Sequence, residues 1–251
     1  MSGLPSSVEG VASALREDIL RRRIRPGERL PSERDLAECY GVNRGAVREA
    51  LRVLEQLGIV KIGPGGARAE SLEEASLDVL GHLLRLEERP DPQLVDQLLE
   101  AHAVLLSGWL RVLVDRGSDE QIEACCAVMR RLADPSAGEI DQAKHFDELV
   151  QLVGDSTNLV LRLMRRGLRM QIWEQLNSAG MEMRPPLDLI SAHAKELQAA
   201  VAQRDGSRAS EITYSMMKLH RERIVSALEA SRPRAAAASV VAKLDAEGIA
   251  P

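Results

Sequence analysis

Arginines 44, 48 and 52 recur at four-residue intervals within Asn43-Arg-Gly-Ala-Val-Arg-Glu-Ala-Leu-Arg52. On a helix this spacing sets three guanidinium groups on one face, about one turn apart. Such a row reads either as a solvated face paired with Glu49 or Glu55, or as a face that enters a DNA major groove. A second constellation lies further along the chain. Asp141 and His145 are four apart and aim a carboxylate and an imidazole at a common point, while His193 and His220 stand on later segments. Donors of these types suit a divalent transition metal, zinc or similar. The same residues read equally well as a surface salt bridge and two structural histidines. His82 and His102 have no partners suggested by spacing, and three cysteines, two of them adjacent at 125 and 126, give neither a disulfide framework nor metal-ligand spacing.

The elements around the arginines decide between their readings. Ser32 precedes an apolar-periodic run and has Asp35 three residues on, so a hydroxyl caps a helix while a carboxylate sits in its positive first turn. That helix runs to about Tyr40. Gly41 tolerates positive φ and Asn43 caps a second helix, in which Val47, Ala50, Leu51, Leu54 and Leu57 form an inward stripe. Asn43, Arg44, Gly45 and Arg48 are left outward at its N-terminal end. Ile59–Ile62 is β-prone, Gly63-Pro64-Gly65-Gly66 is a turn, and Ala67–Ala69 returns as a second strand. A hairpin there makes a wing whose glycine-rich tip lies close to a nucleic-acid backbone.

The chain has 251 residues, 45% of them hydrophobic and 2% aromatic, which predicts an aliphatic, helical interior in two domains. Residues 1–70 carry 12 Lys and Arg against 10 Asp and Glu, while the remainder carries 21 against 28. Only the N-terminal part suits a polyanion, so affinity must come from a local patch and from two copies of it, which points to a homodimer. No run of eighteen apolar residues and no secretion signal are visible; the expected location is the cytoplasm, without a membrane partner. After the hairpin, helical runs are expected over 71–88, 92–116, 118–132, 138–153, 156–180, 187–204 and 206–231. The expected domains are 1–70, a winged helix-turn-helix; 71–90, a linker and connecting helix; 91–231, an antiparallel all-α bundle; and 232–251, a mobile tail.

The stretch Arg25-Pro-Gly-Glu-Arg-Leu-Pro-Ser-Glu-Arg-Asp-Leu-Ala, with Gly41-Val-Asn-Arg-Gly-Ala-Val-Arg-Glu-Ala-Leu and Leu57-Gly-Ile-Val, resembles the DNA-binding domain of GntR-family bacterial transcription regulators. By that resemblance Arg34, Asn43, Arg44, Gly45, Arg48 and Gly65 occupy DNA-contacting positions on double-stranded operator DNA. Gly45 stands where Thr, Ser or Pro is commoner. The helices that follow, with Asp141-x-x-x-His145 near their middle, resemble the FadR-type subfamily and its FCD ligand-binding domain. The resemblance implies a metal held by Asp141, His145 and His193, and a small-molecule metabolite effector. The family's fourth ligand would fall near Ser215 or Met216; His220 stands about one turn later, or about 5.4 Å along the axis. His102-Ala-Val-Leu-Leu106 replaces the family's Arg-x-x-Leu-Glu, and Arg162, Arg165, Arg166 and Arg169 read as a solvated face or a dimer contact. The function implied is a non-enzymatic, ligand-responsive repressor of a metabolic operon. The alternative is a metal-dependent enzyme domain fused to a DNA-targeting winged helix.

Overall fold

In the computed structural model, residues 7–134, 138–155, 158–169, 176 and 184–230 are described. The expected tail at 232–251 and much of the run expected over 156–180 lie outside them. Backbone contacts divide the chain into two compact units, with the break between Pro90 and Asp91.

The N-terminal unit opens with a helix that the arginine and turn motifs did not indicate. Helix α1 (Val8–Leu20) is capped by Ser7, whose hydroxyl accepts from the Gly10 amide, and buries Val11, Ala12, Leu15, Ile19 and Leu20. Its apolar residues recur at three- and four-residue spacing, so its signal was present in the sequence. Helix α2 (Glu33–Tyr40) starts at the expected capping box: the Asp35 amide donates to the Ser32 hydroxyl at 3.2 Å, and the Ser32 amide donates to the Asp35 carboxylate at 3.3 Å. It ends at Gly41, whose φ of 64° is the left-handed conformation that a side chain makes costly. Helix α3 (Arg44–Gln56) follows two residues later and buries the anticipated stripe of Val47, Ala50, Leu51 and Leu54 against α1. Leu57, just beyond it, is buried too.

Strands β1 (Val60–Gly63) and β2 (Gly66–Ala69) form the expected hairpin, antiparallel in the register Val60↔Ala69 to Gly63↔Gly66. Residues 27–30 run along the other edge of β2: the Gly27 amide donates to Ala69 O, and the Ala69 amide donates to Glu28 O. The wing is thus anchored to the segment that leads into α2.

The continuous helix expected over 71–88 is not formed. There is a single 3₁₀ turn, Leu72–Glu74, then extended Ala75 with ψ of 147°, then the short helix α4 (Val79–Leu84). Docking onto the turn after α3 overrides helical periodicity here. The Ser76 amide donates to Leu57 O at 2.9 Å, and Gly58 lies so close that a Cβ on it would stand 2.2 Å from Glu74 O. Arg21 at the end of α1 pairs with Glu87 at 2.8 Å and donates to Leu86 O.

The C-terminal unit is helical: α5 (Pro92–Arg116), α6 (Asp119–Leu132), α7 (Glu139–Asp155), α8 (Leu159–Leu168), α9 (Leu187–Ala202) and α10 (Gly206–Ala230). Helix α10 packs along α5, and α6 packs on α7 and α9. The shared core includes Leu113, Cys125, Met129, Val201, Ala209 and Met217, each at most 1% exposed. Cys125 and Cys126 are buried free thiols, and burial pushes Cys125 up to about 12. Helix α5 is long and apolar enough to cross a membrane by length and composition, yet it spends that apolar surface on the bundle core.

Candidate nucleic-acid interface

Asn43 shows how the chain presents the start of α3. Its side-chain Oδ1 accepts from the Ala46 amide at 2.9 Å, closing the first turn in place of an intrahelical partner. A Cβ on Gly45 would stand 3.0 Å from that oxygen, so the smallest residue type leaves the cap undisturbed. Arg44, Gly45 and Arg48 are exposed beside Asn43, and Val47 faces inward at 0% exposure. Arg34 is exposed on α2, and Gly65 is exposed at the tip of the wing.

The guanidinium groups differ in their partners. Arg52 pairs with Glu49 at 2.9 Å, the solvated-face arrangement. Arg48 reaches across to α2, its Nε 3.2 Å from Oε1 of Glu33 and its Nη2 2.8 Å from Oε2. The Glu33 carboxyl is held below its ordinary range by the hydrogen bond from Arg48, with further help from the charges of Arg48 and Arg44. Two more arginines, absent from the sequence expectations, stand by the wing. Arg29 lies over Gly66, where its Nε would be 3.3 Å from an added Cβ, and Arg68 donates to Gly27 O at 2.9 Å. Their placement follows from the pairing of residues 27–30 with β2, a long-range contact that no local spacing announces.

The sequence profile described as "Bacterial regulatory proteins, gntR family" matches residues 7–68. Over 166 residues the chain is 32% identical to the HTH-type transcriptional regulator Mce2R of Mycobacterium tuberculosis, spanning 64% of this chain and 68% of that protein. The chain belongs to the GntR family. It is similar as well to the fatty acid metabolism regulator protein of an Enterobacter species, 33% identical over 109 residues, which cover 43% of this chain and 46% of that protein. A solved Streptococcus agalactiae GntR structure overlaps 86% of this chain and 99% of that one, with a TM-score of 0.42 and 23% identity. As a GntR-family member with a helix-turn-helix, this chain is a DNA-binding transcriptional regulator; its relatives are named as regulators rather than enzymes.

In the helical unit of this GntR protein, the residues singled out for a metal are not assembled into a ligand set. Asp141 is exposed and pairs with Lys144 at 3.6 Å. His145 has a buried Nδ1 without a hydrogen-bond partner among the described residues, whereas His193 Nδ1 lies 2.8 Å from its own helix at Leu189 O. His220 is 3% exposed and stands near His102. Among the described residues, no three His, Cys, Asp or Glu side chains are grouped to hold a metal ion.

His220 instead lines a groove of about 930 Å³ between α7, α9 and α10. Ile140, Ile190, Ile224 and Leu228 make its walls apolar, and Arg184 and Arg223 stand among them. Arg223 is tied to Asp188 through both carboxylate oxygens, at 3.1 and 2.9 Å. The bundle interior beside Phe146, Leu197 and Met216 has a cavity of only about 30 Å³.

Proposed function

We propose that this chain is a ligand-responsive repressor of a metabolic operon, working in the cytoplasm as a homodimer on double-stranded operator DNA. The observation that carries the reading is the exposed N-terminal end of α3, where capped Asn43, Arg44, Gly45 and Arg48 face outward on a helix whose opposite face is buried. That end enters the major groove; Arg34 and the wing tip at Gly65 meet the flanking backbone. Two copies place two such helices on half-sites about one DNA turn apart.

The effector binds the helical, FCD-like unit in the groove at His220. The volume there matches small-molecule sites of roughly 300–1,000 Å³, whereas the cavity beside Phe146, Leu197 and Met216 has room for about one water. Apolar walls with Arg184 and the Arg223–Asp188 pair at their margin suit a small molecule with an apolar body and a polar end, and carboxylic acids are the first class to try. Bound ligand changes operator affinity only through unequal affinity for the two placements of the DNA-binding units.

The test begins by selecting a binding duplex from a randomised pool with the wild-type protein. Replacing Arg44 and Arg48 by Ala should weaken binding to that duplex by about 1–3 kcal/mol per base-contacting arginine, read by fluorescence anisotropy. A folded double mutant that binds as wild type sinks the DNA-reading assignment. For the effector, a panel of mono- and dicarboxylic acids is screened by thermal shift, and any hit is tested for release of the duplex. Filling the groove with Ile224→Trp should abolish the shift and leave duplex binding intact; an undiminished shift in that variant places the effector elsewhere.

A further inference from the structure

We propose that Glu33 is a positioning residue that makes Arg48 a base reader, presenting it to guanine and withholding it from phosphate. This rests on the reading of α3 as the recognition helix.

A guanidinium has two edges able to form paired hydrogen bonds: a side edge, Nε with one Nη, and an end edge formed by the two Nη groups. Glu33 occupies the side edge of Arg48, taking Nε at 3.2 Å and Nη2 at 2.8 Å with separate oxygens. The fork-to-fork geometry fixes the plane of the guanidinium and leaves its end edge for another acceptor. An end-on guanidinium held in one plane is what the O6 and N7 acceptors of guanine require in the major groove. A phosphate imposes no such requirement and approaches from many directions.

Charge works in the same direction. With Glu33 ionised beside it, Arg48 presents a pair of no net charge, so a phosphate gains little there and meets a nearby carboxylate. A guanine edge, being uncharged, loses little. The exposed Arg44 pairs with no carboxylate among the described residues and serves the backbone. The two arginines, one turn apart on the same face, thereby divide the work: Arg44 supplies charge and Arg48 supplies sequence. Both partners of the clamp remain accessible, with side-chain exposures of 57% for Arg48 and 36% for Glu33, so DNA reaches the pair without moving α2 from α3.

The experiment uses the full chain, the duplex selected by wild type as specific probe and poly(dI-dC) as non-specific probe. Glu33→Gln should lower the ratio of specific to non-specific affinity about tenfold or more, the size of one lost bidentate base contact. Because the freed guanidinium then engages phosphate, the slope of log affinity against log salt should steepen by about one. Selection repeated with Glu33→Gln should lose a G·C preference at one position per half-site. Since Glu33 also lies in the first turn of α2, Arg48→Gln serves as the second variant: the guanidinium is removed, and the same G·C preference should vanish without a steeper slope. Unchanged ratio, slope and preference in Glu33→Gln, or a retained preference in Arg48→Gln, overturns the proposal. Arg48→Ala separates the two failures: if it loses specific binding while Glu33→Gln behaves as wild type, only the positioning role falls. If Arg48→Ala binds the selected duplex like wild type, the recognition-helix reading falls as well.

Discussion

Arg44, Arg48 and Arg52 have the same chemistry and the same spacing, yet their surroundings separate them: one exposed at the helix start, one clamped by Glu33, one paired with Glu49 along its own helix. Surface pairs such as Arg52–Glu49 contribute about 0–1 kcal/mol, so Arg52→Ala should leave both stability and DNA affinity nearly unchanged, checked by urea titration and anisotropy. Arg44→Ala, in contrast, should lower the salt slope of binding by about one if Arg44 meets phosphate. His102 carries a different expectation. Burial, with the nearby His220 adding to it, pushes its pKa down from 6.5 to about 4, so the folded chain keeps it neutral where the unfolded chain would protonate it. Between about pH 6.5 and 4 the unfolded state therefore binds more protons, and stability falls as the pH drops through that window. Urea midpoints measured at pH 7.5, 6 and 5 should decline, and His102→Leu should flatten the decline.

The helices of the N-terminal unit are set by local chemistry at their ends. Asn43→Ala removes the oxygen that satisfies the Ala46 amide and should destabilise the unit by about 1 kcal/mol. Gly58 is more demanding, because its φ is 72° and a Cβ would stand 2.2 Å from Glu74 O. Gly58→Ala should cost about 2 kcal/mol or more, the left-handed strain plus displacement of the Glu74 backbone. A denaturation midpoint equal to wild type would show that residues 71–76 are not docked as the structure has them. The break in the expected helix over 71–88 has the same origin. Leucines at helical spacing were legible there, but a backbone hydrogen bond to Leu57 and the close approach at Gly58 are long-range facts.

At the scale of the molecule, charge and symmetry set what DNA binding requires. A slightly basic N-terminal part, 12 cationic against 10 anionic residues over 1–70, is joined to an acidic remainder, so one copy has little non-specific hold on a polyanion. If two copies share an operator, a duplex carrying one half-site should bind about 10²–10⁴ times more weakly than one carrying two. Equal affinities for the two duplexes would mean that a single copy suffices. The division between Pro90 and Asp91 adds that residues 71–90 belong with the DNA-binding unit, as the Arg21–Glu87 pair illustrates.

What the sequence determined by itself was what is encoded within a few residues: the capping box at Ser32 and Asp35, the Gly41 turn, the Asn43 cap, the stripe from Val47 to Leu57, the hairpin and the bundle helices. Caps, turns and periodicity act through neighbours three or four positions apart, so they are readable without the fold. Tertiary structure decided the pairings between distant segments. It set Glu33 against Arg48, fifteen residues away, and Arg29 over the wing; among the described residues it grouped no three of Asp141, His145, His193 and His220, and it opened a groove at His220. Equal spacing makes side chains share a helix face, but only the packing of one helix on another determines what that face meets.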